Sequence, residues 1–118
     1  MTEPLPPEAE DFLLWLGVER GRSTATLSAY RRDLAVFCAW LTERGGTIGG
    51  ADEPDIIAYL RARQKAGLAS STVTRSMVAV RSLFRFLVAE ELRLDDPTLN
   101  VELPKAPRGL PKALSERQ

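Results

Sequence analysis

The stretch between Ser23 and Gly45 constrains the fold more than any other part of the sequence. Leu27, Tyr30, Leu34, Phe37, Cys38 and Leu41 recur at spacings of three and four, the signature of an α-helix with one buried stripe. Ser23 is a good capping residue in front of it, and Gly45 suits the left-handed position that ends a helix. A helix over 24–44 is about 31 Å long at 1.5 Å per residue.

Three further helices read from the same logic, and no strand does. Residues 7–20 open on Pro6-Pro7 and acids, carry Phe12, Leu13 and Leu16 on one stripe, and stop at Gly21. Asp52 is placed to cap a helix over 53–66, with Pro54 in its first turn, Ile56, Ile57 and Leu60 inward, and Gly67 as its stop. Ser70 is expected to cap a helix over 71–91 whose Val73, Met77, Val80, Phe84, Leu87 and Val88 share a face. The expected fold is all-α, a compact bundle of four to five helices over residues 1–100. Gly45, Gly46, Gly49 and Gly50 predict a flexible connection. Residues 101–112, with three prolines in LPKAPRGLPK, read as an interdomain linker, and 113–118 as the start of a further helix.

A chain of 118 residues with 44% hydrophobic content can bury a core of its own. The net charge is zero, but it is unevenly laid out. Residues 1–19 carry five acids and no base; 20–32 carry four arginines and no acid; 56–89 carry six bases and no acid. A basic middle with neutralising flanks allows a polyanion partner without requiring one. No apolar run approaches a membrane span and no signal-peptide pattern opens the chain, so a cytoplasmic location without membrane partners is expected. The lone Cys38 reads as a core thiol.

The leading halves of the two long helices carry the most functional information. Opposite the core stripe, the first shows Ala25, Ser28, Ala29 and Arg32, flanked by Thr24 and Arg31. The second shows Ser71, Arg75, Val78, Ser82 and Arg85, flanked by Arg81. Small side chains permit close approach, hydroxyls and arginines donate to phosphates and base edges, and helix N-termini favour phosphate. Each residue alone is explained as well by capping or by a solvated charge; the two helices together favour DNA. The trailing halves, with Val36, Trp40, Leu83 and Phe86, are apolar almost all round and should be buried on several sides. Trp15, Trp40, Tyr30 and Tyr59 read as packing residues.

Catalytic chemistry finds little support. With no histidine there is no Ser-His-Asp or Cys-His arrangement, and no CxxC pair or phosphate-binding glycine motif occurs. Neither catalysis nor a cofactor or metal is expected of this chain.

Three runs carry a family resemblance: ERGRSTATLSAYRRDLAVFCAWL (19–41), STVTRSMVAVRSLFRFLVAEELRLDDP (71–97) and LPKAPRGLPKALSE (103–116). In order and spacing they resemble the N-terminal domain of tyrosine site-specific recombinases, nearest to the Xer branch of the phage-integrase family. The resemblance implies a SAM-like core-binding domain that clamps double-stranded DNA together with a second, catalytic domain. It further implies that the helices at 24–44 and 71–91 meet the major groove. By position, Thr26, Tyr30, Arg31 and Arg32 match one family stretch, and Arg75, Ser76 and Arg81 another. The Tyr30 ring would pack while its hydroxyl offers itself to a phosphate, or the residue would only pack. Contacts with other recombinase subunits on DNA are also implied. The family's nucleophilic tyrosine belongs to the second domain, which would follow Gln118, so this chain reads as a non-catalytic portion. Chromosome-dimer resolution, phage integration and transposon recombination stay open for the parent. The competing reading is a helical protein–protein interaction module with an apolar patch, to which Val78 and Ala79 would contribute.

Overall fold

The computed structural model describes residues 5–104. Four helices follow one another: α1 (Pro7–Val18), α2 (Thr24–Glu43), α3 (Glu53–Lys65) and α4 (Ser70–Ala89). There is no strand among the described residues, and the all-α bundle expected from periodicity is the fold. The boundaries differ from expectation by one or two residues at the helix ends, where fraying and capping compete.

Local chemistry explains most of the termini. Ser23 accepts from the Thr26 amide at 3.2 Å. Asp52 and Asp55 bond each other's backbone amides reciprocally at the head of α3, satisfying two donors that a helix start leaves open. Gly21, Gly45 and Gly67, each with φ between 63° and 80°, stop α1, α2 and α3. The head of α4 corrects the sequence reading. Ala69 occupies the cap position in an extended conformation, no side chain caps the helix, and Ser70 is already its first residue.

Phe12, Leu34, Phe37, Ile56, Tyr59, Val80, Phe84 and Leu87 fill a single core to which every helix contributes. Phe37 lies at its centre, with its ring edge-on to Tyr59 (4.9 Å between centroids) and to Phe84 (6.0 Å). Such pairs contribute about 0.5–1.5 kcal/mol beyond area burial. Burial pushes the Cys38 thiol up to about 11 and the Tyr59 hydroxyl up to about 12. Both stay neutral at physiological pH, which fits their reading as packing groups. Val36, expected inside, is instead exposed, and Trp40 is half-buried beneath the Arg44 guanidinium, 4.5 Å from its ring.

Two segments expected to be loose are tied down. Within the glycine-rich connection, Ile48 and Ala51 are buried, the Gly50 amide donates to Thr47 Oγ1 at 3.1 Å, and Arg93 donates to the Ile48 carbonyl at 2.9 Å. Side-chain burial at Ile48 overrides the freedom of the surrounding glycines. Residues 101–104, expected as the start of the linker, lie against α4. Val101 is buried, Leu103 packs on the core, and Thr74 donates to the Pro104 carbonyl at 2.9 Å. The rest of the expected linker, 105–112, and the expected helix start at 113–118 lie outside the described residues. No described helix is long and apolar enough to cross a membrane.

Candidate nucleic-acid interface

The two long helices are joined by an ion pair at their leading halves. Arg75 on α4 donates from Nε and Nη2 to Asp33 on α2, at 3.1 and 3.2 Å. Asp33 is 7% exposed while Arg75 remains 55% exposed. The bidentate fork gives a nearly buried carboxylate its partner, and the Asp33 carboxylate in turn holds the guanidinium in its charged form, its pKa raised. The α4 face that carries Arg75 is thereby fixed beside the α2 residue that follows Arg32 in the chain.

The candidate contact residues sort into three groups. Thr24, Ser28, Arg32, Ser71, Arg75 and Arg85 are exposed. Of these, Arg32 and Arg85 make no ion pair among the described residues. Thr26, Tyr30 and Arg31 are half-buried. Thr26 accepts from the Ser23 hydroxyl at 3.1 Å, and the Tyr30 ring stands edge-on to Phe12 at 5.8 Å. Arg31 is held by Glu10 of α1 through two bonds, Nη1 to Oε2 at 3.0 Å and Nη2 to Oε1 at 2.7 Å. This pairing, with the Leu5 amide at 3.1 Å, keeps the Glu10 carboxyl below its ordinary range.

Two candidates are corrected by the geometry. Ser76 is 1% exposed, and its hydroxyl accepts from Arg63 at 3.3 Å; it lies inside the α3–α4 seam, where no duplex reaches it. Arg81 turns its guanidinium onto the carbonyls of Thr98 and Val101 and acts as a clasp for the segment after α4. Spacing along α4 could not reveal either, because the acceptors lie 17 and 20 residues away from Arg81. Ala79, offered for an apolar patch, is buried as well, which leaves Val78 alone at 40% exposure.

Arg20 and Arg22, counted in the basic run but not among the expected contact residues, are also exposed. Gly21, with φ +63°, folds the chain back at the end of α1, and the Arg22 amide donates to the Leu16 carbonyl at 3.1 Å. The turn sets both exposed arginines beside Arg85 and Tyr30 around one cavity. The acid-free run from residue 20 was the available signal; the turn that gathers it was not readable. No cluster of three metal-ligating side chains occurs among the described residues.

Comparison with known proteins agrees with this architecture. The sequence model of the family described as phage integrase, N-terminal SAM-like domain, matches residues 9–91, from α1 to just past α4. The tyrosine recombinase XerD of Yersinia pestis is 39% identical over 112 residues, covering 95% of this chain and 38% of that protein. The tyrosine recombinase XerD of Xanthomonas campestris pv. campestris is 38% identical over 124 residues, covering 99% of this chain and again 38% of the relative. The chain thus spans under two fifths of the length of these relatives. With four helices in the expected order and a family match running through all of them, the chain belongs to the phage integrase N-terminal SAM-like domain family.

Proposed function

We propose that this chain is the DNA-gripping domain of a tyrosine site-specific recombinase and holds double-stranded DNA through exposed arginine and hydroxyl side chains of α2 and α4. The observation that supports the reading most is the Arg75–Asp33 pair, which brings the exposed Arg75 of α4 against α2, next in the chain to the exposed Arg32. Arg32, Ser28 and Thr24 on α2 and Ser71, Arg75 and Arg85 on α4 contribute the donors, to phosphates first and base edges second. Arg31 and Tyr30 stand at the edge of this surface. The names of the relatives support recombination as the setting. Strand cleavage is assigned to a catalytic domain joined through the linker, and this domain contributes grip and register. Neither metal nor nucleotide cofactor enters that role.

Titration of a duplex with the Arg32→Ala, Arg85→Ala double variant tests the reading. Lone-domain affinity is expected at about 10⁻⁴–10⁻⁶ M at physiological salt and should fall as salt rises. The double variant should bind several-fold more weakly with an unchanged unfolding midpoint; equal affinity would remove this face from the contact surface. Arg75→Ala is a poorer probe, because it strands the nearly buried Asp33 carboxylate.

A second reading, contact with another protein subunit, has its own observation. Leu14, Val18 and Leu92 are 67%, 68% and 53% exposed and line one groove bordered by Asp11, Glu19 and Glu90. A partner bound here with no salt dependence, in a protein that ignores duplex, would favour the interaction-module reading.

A further inference from the structure

A cavity of about 320 Å³ opens between the end of α1, the front of α2 and the back of α4. Its floor is aromatic. Phe12 and Phe86 are buried in it, and Trp15 and Tyr30 line it half-buried. The Trp15 and Phe86 rings lie 5.2 Å apart, and Phe12 touches Tyr30, Trp15 and Phe86. The rim is cationic: Arg20, Arg22 and Arg85 line it and form no ion pair among the described residues. The Arg20 guanidinium lies 5.6 Å from the centre of the Trp15 ring.

We propose that this cavity takes one unpaired nucleotide of DNA, its base against the Trp15 ring and its phosphate among Arg20, Arg22 and Arg85. An apolar floor alone would suit any hydrophobic group, and arginines alone any anion. An aromatic lining ringed by three guanidiniums without ion pairs matches a ligand that is aromatic at one end and anionic at the other. Size agrees, since the volume lies in the range of small-ligand pockets. The one acid on the rim, Glu90, sets a preference: a carboxylate accepts from the exocyclic amino group of cytosine. Tyr30 and Arg85 belong to the duplex face, so the inference rests on the DNA-gripping reading. The cavity extends that face from paired DNA to a base that has left the stack.

The chain has two tryptophans, and Trp40→Phe leaves Trp15 as the sole indole reporter. In that background, the trinucleotide d(CCC) and deoxycytidine monophosphate are expected to quench Trp15 emission, the trinucleotide at lower concentration. Inorganic phosphate at matched ionic strength should not. A duplex with one unpaired dC should bind about tenfold tighter than its fully paired counterpart, in line with the stacking energy of one base. Arg22→Ala should remove most of that difference. Trp15→Leu, followed by calorimetry, should remove it too if the domain stays folded; Arg22→Ala carries the test if it does not. Equal affinity for the two duplexes together with unquenched Trp15 overturns the proposal, and so does quenching by inorganic phosphate equal to that by the nucleotide. Quenching by d(CCC) in a protein that ignores paired duplex would uphold the cavity and sink the duplex reading instead.

Discussion

The α3–α4 seam and the α1–α2–α4 cavity use the same residue for opposite ends. In and around the seam every arginine but the exposed Arg61 has acceptors within the protein. Arg63 donates to Ser76, Arg75 to Asp33, Arg81 to two carbonyls, and Arg93 to Ile48 and Asp95. At the cavity Arg20, Arg22 and Arg85 have none among the described residues. A guanidinium bonded to acceptors indoors helps to hold helices together; one with no acceptor in the protein is available to an anion from outside. Counting basic residues cannot separate the two, and neither can a net charge of zero.

The sharpest way to break this contrast is at the seam. Arg81→Ala frees two backbone carbonyls and should destabilise the domain by about 2 kcal/mol, the range for hydrogen bonds to a charged group. That corresponds to a fall in Tm of about 10 °C for a domain of this size. Arg85→Ala, one turn further on, should stay within about 0.5 kcal/mol of the parent, as exposed substitutions do. Thermal unfolding of the two variants side by side decides it; equal losses would erase the distinction.

A smaller effect separates neighbours on α2. Arg32→Ala should make the log–log salt dependence of duplex binding shallower by about 0.9, the value for one phosphate contact. Removing Arg31 together with its partner, as Glu10→Ala with Arg31→Ala, keeps the net charge and should leave the slope unchanged. A slope altered by the second variant would return Arg31 to the contact surface.

The smallest expected effect is acid-linked. The Arg31 bond depresses the Glu10 carboxyl from its ordinary 4.5. Its contribution to stability is therefore complete above that value and is lost as pH falls through the depressed one. Both side chains are more than a third exposed, so solvent screening limits the gain to under about 1 kcal/mol. Urea midpoints measured from pH 6 to pH 3 should fall less steeply in Glu10→Gln than in the parent.

The helices were legible because amphipathic period, caps and stop glycines are local signals. Ser23, Asp52, Gly21, Gly45 and Gly67 acted as their residue types suggest. Ser70 did not, since Ala69 takes the cap position and a serine inside the first turn is equally ordinary. The site was legible only in outline. Exposure of Thr24, Ser28, Arg32, Ser71 and Arg85 follows from helical phase. The fate of the other arginines depends on acceptors far along the chain: Asp33 is 42 residues from Arg75, and Glu10 is 21 residues from Arg31. Pairing at that range is a property of the packed bundle and leaves no trace in spacing.

The clasp at Arg81 also decides where the polypeptide departs. After α4 the chain doubles back along that helix, held at Thr98 and Val101 by Arg81, until Thr74 anchors the Pro104 carbonyl. The described chain therefore ends against Thr74, at the front of α4, and not at the helix's far end. Were α2 and α4 to hold DNA as proposed, the segment that ends at Pro104 would lie against the same half of α4 that carries Arg75.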